Sequence, residues 1–139
     1  MHPNVKEVQE AWDAVAEGNP APAFEQLADD VVVENGPGAG PARWRHLEGK
    51  VAFFTMAMEF GQFFGGTFHQ KGTCVHADDR QAVSLVRETG TLPNGDVFDN
   101  EAVYVFRYDD SGLIDRIWTV DHDDEHVREF WERNPAREG

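Results

Sequence analysis

The chain has 139 residues, enough for one domain with a sizeable core, and its 4 Trp and 10 Phe supply large side chains for that core or for the walls of a cavity. Its 26 acidic residues outweigh 12 Lys and Arg, and the net charge of -14 repels nucleic acid and anionic lipid, so neither is expected as a partner. The sequence contains neither a bilayer span of roughly 20 apolar residues nor a basic segment leading into an apolar core, so we expect a cytoplasmic protein with a single domain over residues 1–139.

The first half of the chain predicts helices. Apolar residues at spacings of three and four in VKEVQEAWDAVAEG (residues 5–18) predict an amphipathic helix that ends at a glycine. A second helix is predicted over residues 20–30, after prolines that suit a first turn, and VVVEN at 31–35 predicts a strand. Residues 36–45, rich in Gly and Pro, predict a loop, and the aromatic-rich residues 46–64 predict a long helix buried over much of its surface.

From residue 67 onward the apolar pattern becomes β-rich. Turn sequences such as PNGD and DDSG separate the runs, as between antiparallel strands, and the predicted strands are residues 67–77, 81–92, 97–108 and 113–121. A short helix over 124–135 follows. We therefore predict an α+β fold, in which helices pack in the concavity of a strongly bent, mostly antiparallel sheet with the early strand at its edge and a pocket between sheet and helices.

The segment IWTVDHDDEH, residues 117–126, has three interpretations. His122 and His126 are four residues apart, as in some metal sites, but no third ligand is evident. Asp123, Asp124 and Glu125 are also placed to cap the start of the last helix and to favour its positive end. The capping interpretation is preferred for these three acids, and no metal site is assigned.

Asp121 in the same segment is not explained by capping. A period of two puts Ile117, Thr119 and Asp121 on one face of the strand and the apolar Trp118 and Val120 on the other. A carboxylate at the rim of an apolar cavity is a candidate general base or acid. A solvated Asp at the end of a strand is the competing interpretation, and the sequence alone leaves both open.

Two stretches carry a resemblance to a known family: AFEQLADDVVVENGPG, at residues 23–38, and AVYVFRYDDSGLIDRIWTVD, at residues 102–121. They resemble the second helix with the first strand, and the last hairpin, of the nuclear transport factor 2-like superfamily, in particular SnoaL-like polyketide cyclases and ketosteroid isomerase-like proteins. The resemblance covers nearly the whole chain and implies a cone-shaped α+β barrel. The fold hosts several reaction types, so it specifies the chemistry poorly.

The resemblance also implies positions for a site. The proton-shuttling Asp of the isomerases falls on Asn35, their helix tyrosine falls on Ala11 beside Trp12, and the acid of their oxyanion hole falls on Tyr104. Asn35 cannot act as the base, so steroid isomerase chemistry is not expected. The carboxylate that SnoaL-like cyclases are expected to use on the last strand falls on Asp121. Asp121 and Tyr104 are therefore the predicted catalytic pair, with Asn35 and Trp12 as substrate-binding residues.

Three further residues are predicted to bind substrate. Asn100 shares a strand face with Tyr104 and is suited to hydrogen-bond a ligand, although a polar contact within the sheet explains it equally well. Trp44, in the Gly/Pro loop, is placed to close over a ligand or to anchor the loop. Arg87 would supply one member of the Asp–Arg–Asp arrangement of epoxide hydrolases. His69 and His76 are seven residues apart, which predicts opposite faces of a regular strand.

The sequence thus predicts a SnoaL-like enzyme that transfers a proton, without a cofactor, on a hydrophobic cyclic or polyketide-like molecule, in a cyclase, isomerase or lyase reaction. A non-catalytic ligand-binding or dimerisation module of the same fold is the alternative. A metal-dependent hydrolase centred on DHDDEH is a third possibility. Strands that are apolar on both faces, such as AVYVF and IWTV, predict a homodimer formed through the convex face of the sheet.

Overall fold

The computed structural model describes residues 1–135, apart from the side chain of Asp124. The helices are α1 (Pro3–Ala16), α2 (Ala21–Glu25), α3 (Lys50–Phe63) and α4 (Asp124–Arg133). The strands are β1 (Leu27–Glu34), β2 (His46–Glu48), β3 (His69–Ala77), β4 (Gln81–Thr91), β5 (Val97–Tyr108) and β6 (Ile114–Asp121). Within residues 1–135, no helix is both long enough and apolar enough to cross a membrane.

The strands form one curved, open sheet in the order β2-β1-β6-β5-β4-β3. Neighbouring strands are antiparallel except β1 and β6, which are parallel. The predicted α+β fold with a bent, mostly antiparallel sheet is confirmed. The prediction of an edge position for the early strand is wrong, because the unpredicted strand β2 pairs with β1 and takes the edge.

Two predicted helices differ from the structure. The second helix ends at Glu25, because Leu27 is buried and pairs with Ile114, which draws the following residues into β1. The predicted long helix begins only at Lys50, after β2. It is also far less buried than predicted: Val51 of α3 is 72% exposed. The reason is that α3 contacts mainly the two strands β1 and β2, and several of its side chains face the cavity instead of a packed core.

The buried side chains form two clusters, and burial of each large apolar side chain contributes about 1.5–3 kcal/mol. One lies between α1 and the sheet and includes Trp12, Val33 and Ile117. The other joins the end of α3 to α4 and includes Phe60 and Phe130. Residues of both clusters border a cavity on the concave side of the sheet.

Candidate functional site

A cavity of about 520 Å³ lies between the concave face of the sheet and the helices. Its volume is within the range of ligand sites for small organic molecules. Most of its wall is apolar and comes from α1, α3, β5 and β6. The polar side chains at the wall are Gln26, Asn35, Gln70, Glu88, Tyr104, Thr119 and Asp121.

Asp121 reaches the cavity from the end of β6. The alternation along this strand puts Ile117, Thr119 and Asp121 at the cavity wall, whereas Val120 is 60% exposed on the other face. Both carboxylate oxygens of Asp121 are held: Oδ2 accepts a hydrogen bond from the backbone N–H of Gly38 at 2.6 Å, and Oδ1 accepts one from Nδ2 of Asn100 at 2.9 Å. Asp121 is therefore fixed in orientation.

The loop after β1 supplies one of those donors and requires glycine to do so. The backbone N–H of Gly36 donates to Oγ1 of Thr119 at 2.9 Å, next to the bond from Gly38 to Asp121. A Cβ atom on either glycine would collide with the Asp121 carboxylate. On the far side of the loop, the indole N–H of Trp131 in α4 donates to the carbonyl of Gly38 at 3.1 Å. The loop is thus clamped between Asp121 and α4.

A second carboxyl group, Glu88, lies beside this arrangement and was not predicted. It is only 7% exposed, on β4, and it accepts hydrogen bonds from the hydroxyl of Tyr104 at 2.7 Å and from Nε2 of Gln70 at 2.7 Å. Burial raises the pKa of Glu88 above its ordinary value, although these hydrogen bonds act in the opposite direction. Burial also raises the pKa of Tyr104 well above its usual value, and the neighbouring Glu88 adds to the effect.

Asn100 connects the two carboxyl groups. Its side-chain Nδ2 donates to Oε1 of Glu88 at 3.0 Å as well as to Asp121. Asn100 is 2% exposed and is not part of the cavity wall, so the structure places it behind the carboxyl groups rather than in contact with a ligand. Its Oδ1 has no hydrogen-bond partner within the described residues. We therefore interpret Asn100 as a positioning residue.

Trp12 and Asn35 are both brought to the cavity wall. The indole N–H of Trp12 donates to Oγ of Ser84 at 3.0 Å, and its ring meets Tyr104 edge to face with 5.2 Å between centroids. The amide of Asn35 donates to the backbone carbonyl of Trp44 at 2.9 Å, which ties the wall to the loop. Both side chains are therefore held by protein partners while still bordering the cavity.

Comparison with protein families agrees with this architecture. The SnoaL-like domain matches residues 8–117, which is most of the chain. The chain belongs to the SnoaL-like domain family. No curated protein matches its sequence. This assignment confirms the family resemblance that was based on residues 23–38 and 102–121.

Solved structures with the same fold include three with informative descriptions. A putative polyketide cyclase from Streptomyces antibioticus has a TM-score of 0.68 and 19% identity, covering 93% of this chain and 99% of that one. The Δ5-3-ketosteroid isomerase from a Mycobacterium species has a TM-score of 0.62 and 24% identity, and the match covers 86% of this chain and 93% of that one. A Mycobacterium tuberculosis protein in complex with estradiol-17beta-hemisuccinate has a TM-score of 0.63 and 16% identity, and the match covers 91% of this chain and 98% of that one. At these identities the likeness shows the fold.

Other predicted site residues of this SnoaL-like domain lie away from the cavity. Arg87 is exposed on the outer face of the sheet and pairs with Asp99 at 2.8 Å, so its predicted place in the pocket is wrong. The alternation of β4 sends Glu88 inward and Arg87 outward. Trp44 is 3% exposed and packs against Phe60 in the core, with 5.5 Å between ring centroids, so it anchors the loop and does not border the cavity.

The two histidines of β3 also differ from expectation. His69 and His76 are both exposed, and neither borders the cavity. The register of β3 against β4 shifts between Cys74 and His76. This irregularity breaks the two-residue alternation, so an odd separation no longer places the two histidines on opposite faces.

The acidic segment after β6 begins a helix. Oδ1 of Asp123 accepts a hydrogen bond from the backbone N–H of His126 at 3.1 Å, so the predicted capping role of Asp123 is confirmed. The side chain of Asp124, the second predicted cap, lies outside the described residues. Among the side chains that the structure describes, no group of three or more His, Cys, Asp or Glu is arranged to hold a metal ion.

Proposed function

We propose that this chain is a cofactor-independent enzyme that transfers a proton on a hydrophobic cyclic or polyketide-like molecule, in a cyclase, isomerase or lyase reaction. The observation that carries the proposal is a pair of carboxyl groups, Glu88 and Asp121, bridged by one amide in a mostly apolar cavity. Paired carboxyl groups in unlike surroundings are suited to separate acid and base roles. The relatedness in fold to a putative polyketide cyclase and to a ketosteroid isomerase supports the same class of chemistry.

Asp121 is assigned as the proton acceptor. It borders the cavity, and the N–H groups of Gly38 and Asn100 hold its carboxylate in one orientation. A C–H group next to a ligand carbonyl loses its proton to a carboxylate held in this way, and the negative charge moves to the ligand oxygen as an enolate. That oxygen then needs a hydrogen-bond donor.

Tyr104 is assigned as that donor, with Glu88 controlling its direction. Because burial raises the pKa of Glu88, its neutral form persists above the ordinary carboxyl range. A neutral Glu88 donates its proton to the Tyr104 oxygen, which also accepts from Gln70 at 3.0 Å. The Tyr104 O–H is then free to donate to the enolate oxygen. The chain needs no bound group for these steps.

Exchange of carbon-bound hydrogen for solvent deuterium tests the proposal without knowledge of the natural substrate. The probe is 2-tetralone, an apolar bicyclic ketone with acidic C–H groups, and deuterium uptake in D2O is followed by mass spectrometry. We expect the wild-type protein to accelerate uptake, and Asp121→Asn to reduce the acceleration by roughly 10²- to 10⁴-fold. Glu101→Gln, which removes an exposed carboxylate of the outer sheet face, is the control and should retain the wild-type rate.

In Asp121→Asn, the side-chain NH2 group replaces one of the two carboxylate oxygens and faces a donor, either the N–H of Gly38 or Nδ2 of Asn100. The lost hydrogen bond should lower the free energy of unfolding by about 1–3 kcal/mol. Thermal melts must therefore accompany the kinetics to show that the variant is folded. An undiminished exchange rate in folded Asp121→Asn would refute the assignment. Binding of 2-tetralone without any exchange in the wild-type protein would favour the non-catalytic ligand-binding module instead.

A further inference from the structure

The acidic side chains at the cavity wall are not matched by basic ones. Within residues 1–135, the wall includes the carboxyl groups of Glu88 and Asp121 and no Lys, Arg or His side chain. The other polar side chains there are neutral amides and hydroxyls. The hydrogen-bond partners of the two carboxyl groups are also neutral, namely Asn100, Gln70, Tyr104 and the backbone of Gly38.

Three cationic residues that lie near the wall in sequence pair with carboxylates outside the cavity. Arg107 of β5 is bonded to Asp115 at 2.9 Å. Lys50, at the start of α3, pairs with Asp29 at 3.1 Å. The guanidinium of Arg116 lies 3.6 Å from a carboxylate oxygen of β1. Each would have to break these contacts to reach a ligand in the cavity.

These observations define which ligands the cavity can hold. An anion placed inside would lose its hydration, meet the Asp121 carboxylate and find no cation to pair with, and the net charge of -14 repels it on approach. A protonated amine, in contrast, gains a partner in Asp121 and contacts the faces of aromatic rings such as Trp12 and Phe106. An uncharged molecule neither loses the hydration of a charge nor gains a charged partner in the cavity.

We propose that the cavity selects its ligand by charge: it admits uncharged ring compounds and protonated amines, and it rejects carboxylates and phosphates. The inference rests on the proposed function in that it names the substrate class of the same site. It depends on binding alone, so it can fail or hold independently of the proton-transfer step.

Three probes with a common tetralin ring system separate charge from shape. They are 2-tetralone, 2-aminotetralin and tetralin-2-carboxylate, compared at neutral pH, where the amine is protonated and the acid is ionised. Dissociation constants are measured by titration calorimetry on the wild-type chain. We expect the carboxylate to bind more than about tenfold more weakly than the ketone, because its charge is desolvated without a partner, and the amine to bind at least as tightly as the ketone.

Two variants then locate the origin of the selection. Asp121→Asn should weaken amine binding about tenfold relative to ketone binding, because the amine loses its charged partner. Glu101→Gln removes one negative charge from the outer face of the sheet and should leave the ratios among the three probes unchanged. The comparison distinguishes a carboxylate at the site from the net charge of the chain.

The inference is overturned if the carboxylate binds within about tenfold of the ketone, if the amine binds more weakly than the ketone, or if none of the three probes binds. It is also overturned if both variants change the probe ratios equally. Charge selection without deuterium exchange of 2-tetralone would mean that the proposed proton transfer fails while the ligand class stands. Deuterium exchange of 2-tetralone together with equal binding of ketone and carboxylate would mean that the proposed proton transfer stands while charge selection fails.

Discussion

Glu88 is the residue whose surroundings depart most from those of an ordinary carboxyl group. In the folded state its pKa is raised by burial, whereas in the unfolded state it titrates normally. Stability from the protonated form is therefore complete at pH below the unfolded pKa and is lost as the pH rises through the raised folded-state pKa. Above that pH range, the buried negative charge of Glu88 lowers the free energy of unfolding.

Glu88→Gln should remove this pH dependence, because an amide stays neutral at every pH. Relative to the wild type, the variant should gain up to about 1.4 kcal/mol in the free energy of unfolding per pH unit between the unfolded and folded pKa values of Glu88. Chemical denaturation from pH 4 to pH 8 measures the difference, with the exposed Glu101→Gln as the matched control. A constant difference over this range would show that Glu88 titrates alike in both states.

Tyr104 and Tyr108 offer a matched pair on one strand. Tyr104 borders the cavity and is bonded to Glu88, whereas Tyr108, whose pKa burial raises to about 12, does not border the cavity. Tyr104→Phe should lower the deuterium exchange rate by roughly 10²-fold, since one donor to the enolate oxygen is lost. Tyr108→Phe should exchange like the wild type. Equal rates in the two variants would exclude Tyr104 as the donor.

The sequence predicts one carboxyl group of the candidate site, Asp121, and does not single out the other, Glu88. Asp121 is predictable because the two-residue alternation that places Ile117 and Thr119 on one strand face extends to it. The same period in β4 puts Glu88 on the face of Val86, which is buried, and this signal was available. The analogy with epoxide hydrolases points to Arg87 instead, although the same alternation places Arg87 on the opposite face of β4. The bridging role of Asn100 depends on the lateral register of three strands, which a local pattern does not contain.

At the scale of elements, the loop between β1 and β2 is the part that orients the site. Its residue Gly38 donates to Asp121 on one side and accepts from Trp131 on the other. A loop rich in Gly and Pro would ordinarily be mobile, but here both sides of one glycine are bonded to regular elements. The loop therefore behaves as a fixed part of the cavity wall.

Gly38→Ala tests this role directly. The added Cβ would collide with the Asp121 carboxylate, so Asp121 must shift. We expect the exchange rate to fall by roughly 10²-fold, as is typical when a catalytic group is displaced by about 1 Å. Glu101→Gln is the control, because Glu101 is exposed on the outer face of the sheet and does not border the cavity. A Gly38→Ala protein with wild-type exchange would show that the loop does not position Asp121.

Elements with a strong local pattern were predicted well, and those decided by distant contacts were not. The boundaries of β5 agree with the predicted residues 97–108 because turn sequences flank a clear run of β-forming residues. The short strand β2 exists only because it pairs with β1, and its three residues carry no pattern of their own. The exposure of α3 likewise depends on the cavity beneath it, since an apolar composition alone indicates burial.

At the scale of the whole molecule, the convex face of the sheet carries an apolar area. The register of β4, β5 and β6 puts Leu85, Val103 and Val120 in one row, and Leu85 and Val120 are 52% and 60% exposed. A second row is formed by Val83, Val105 and Trp118. An ion pair between Arg87 and Asp99 lies beside these rows and provides a polar border. Apolar centres with polar rims are typical of protein interfaces.

We predict that this face joins two copies of the chain. Leu85→Lys and Val120→Lys, each of which puts a charge at the centre of the apolar rows, should convert the dimer to a monomer, because burying an unpaired charge at an interface costs several kcal/mol. Light scattering should then give twice 15.6 kDa for the wild type and 15.6 kDa for the variants.

Val51→Lys, on an exposed site of α3, is the control and should remain dimeric. A wild-type mass of 15.6 kDa at micromolar concentration would contradict the prediction, and dimers that persist in both sheet variants would place the interface elsewhere. Since the cavity lies on the opposite face of the sheet and neither Leu85 nor Val120 borders it, the monomeric variants should retain 2-tetralone binding, which separates assembly from the chemistry of the site.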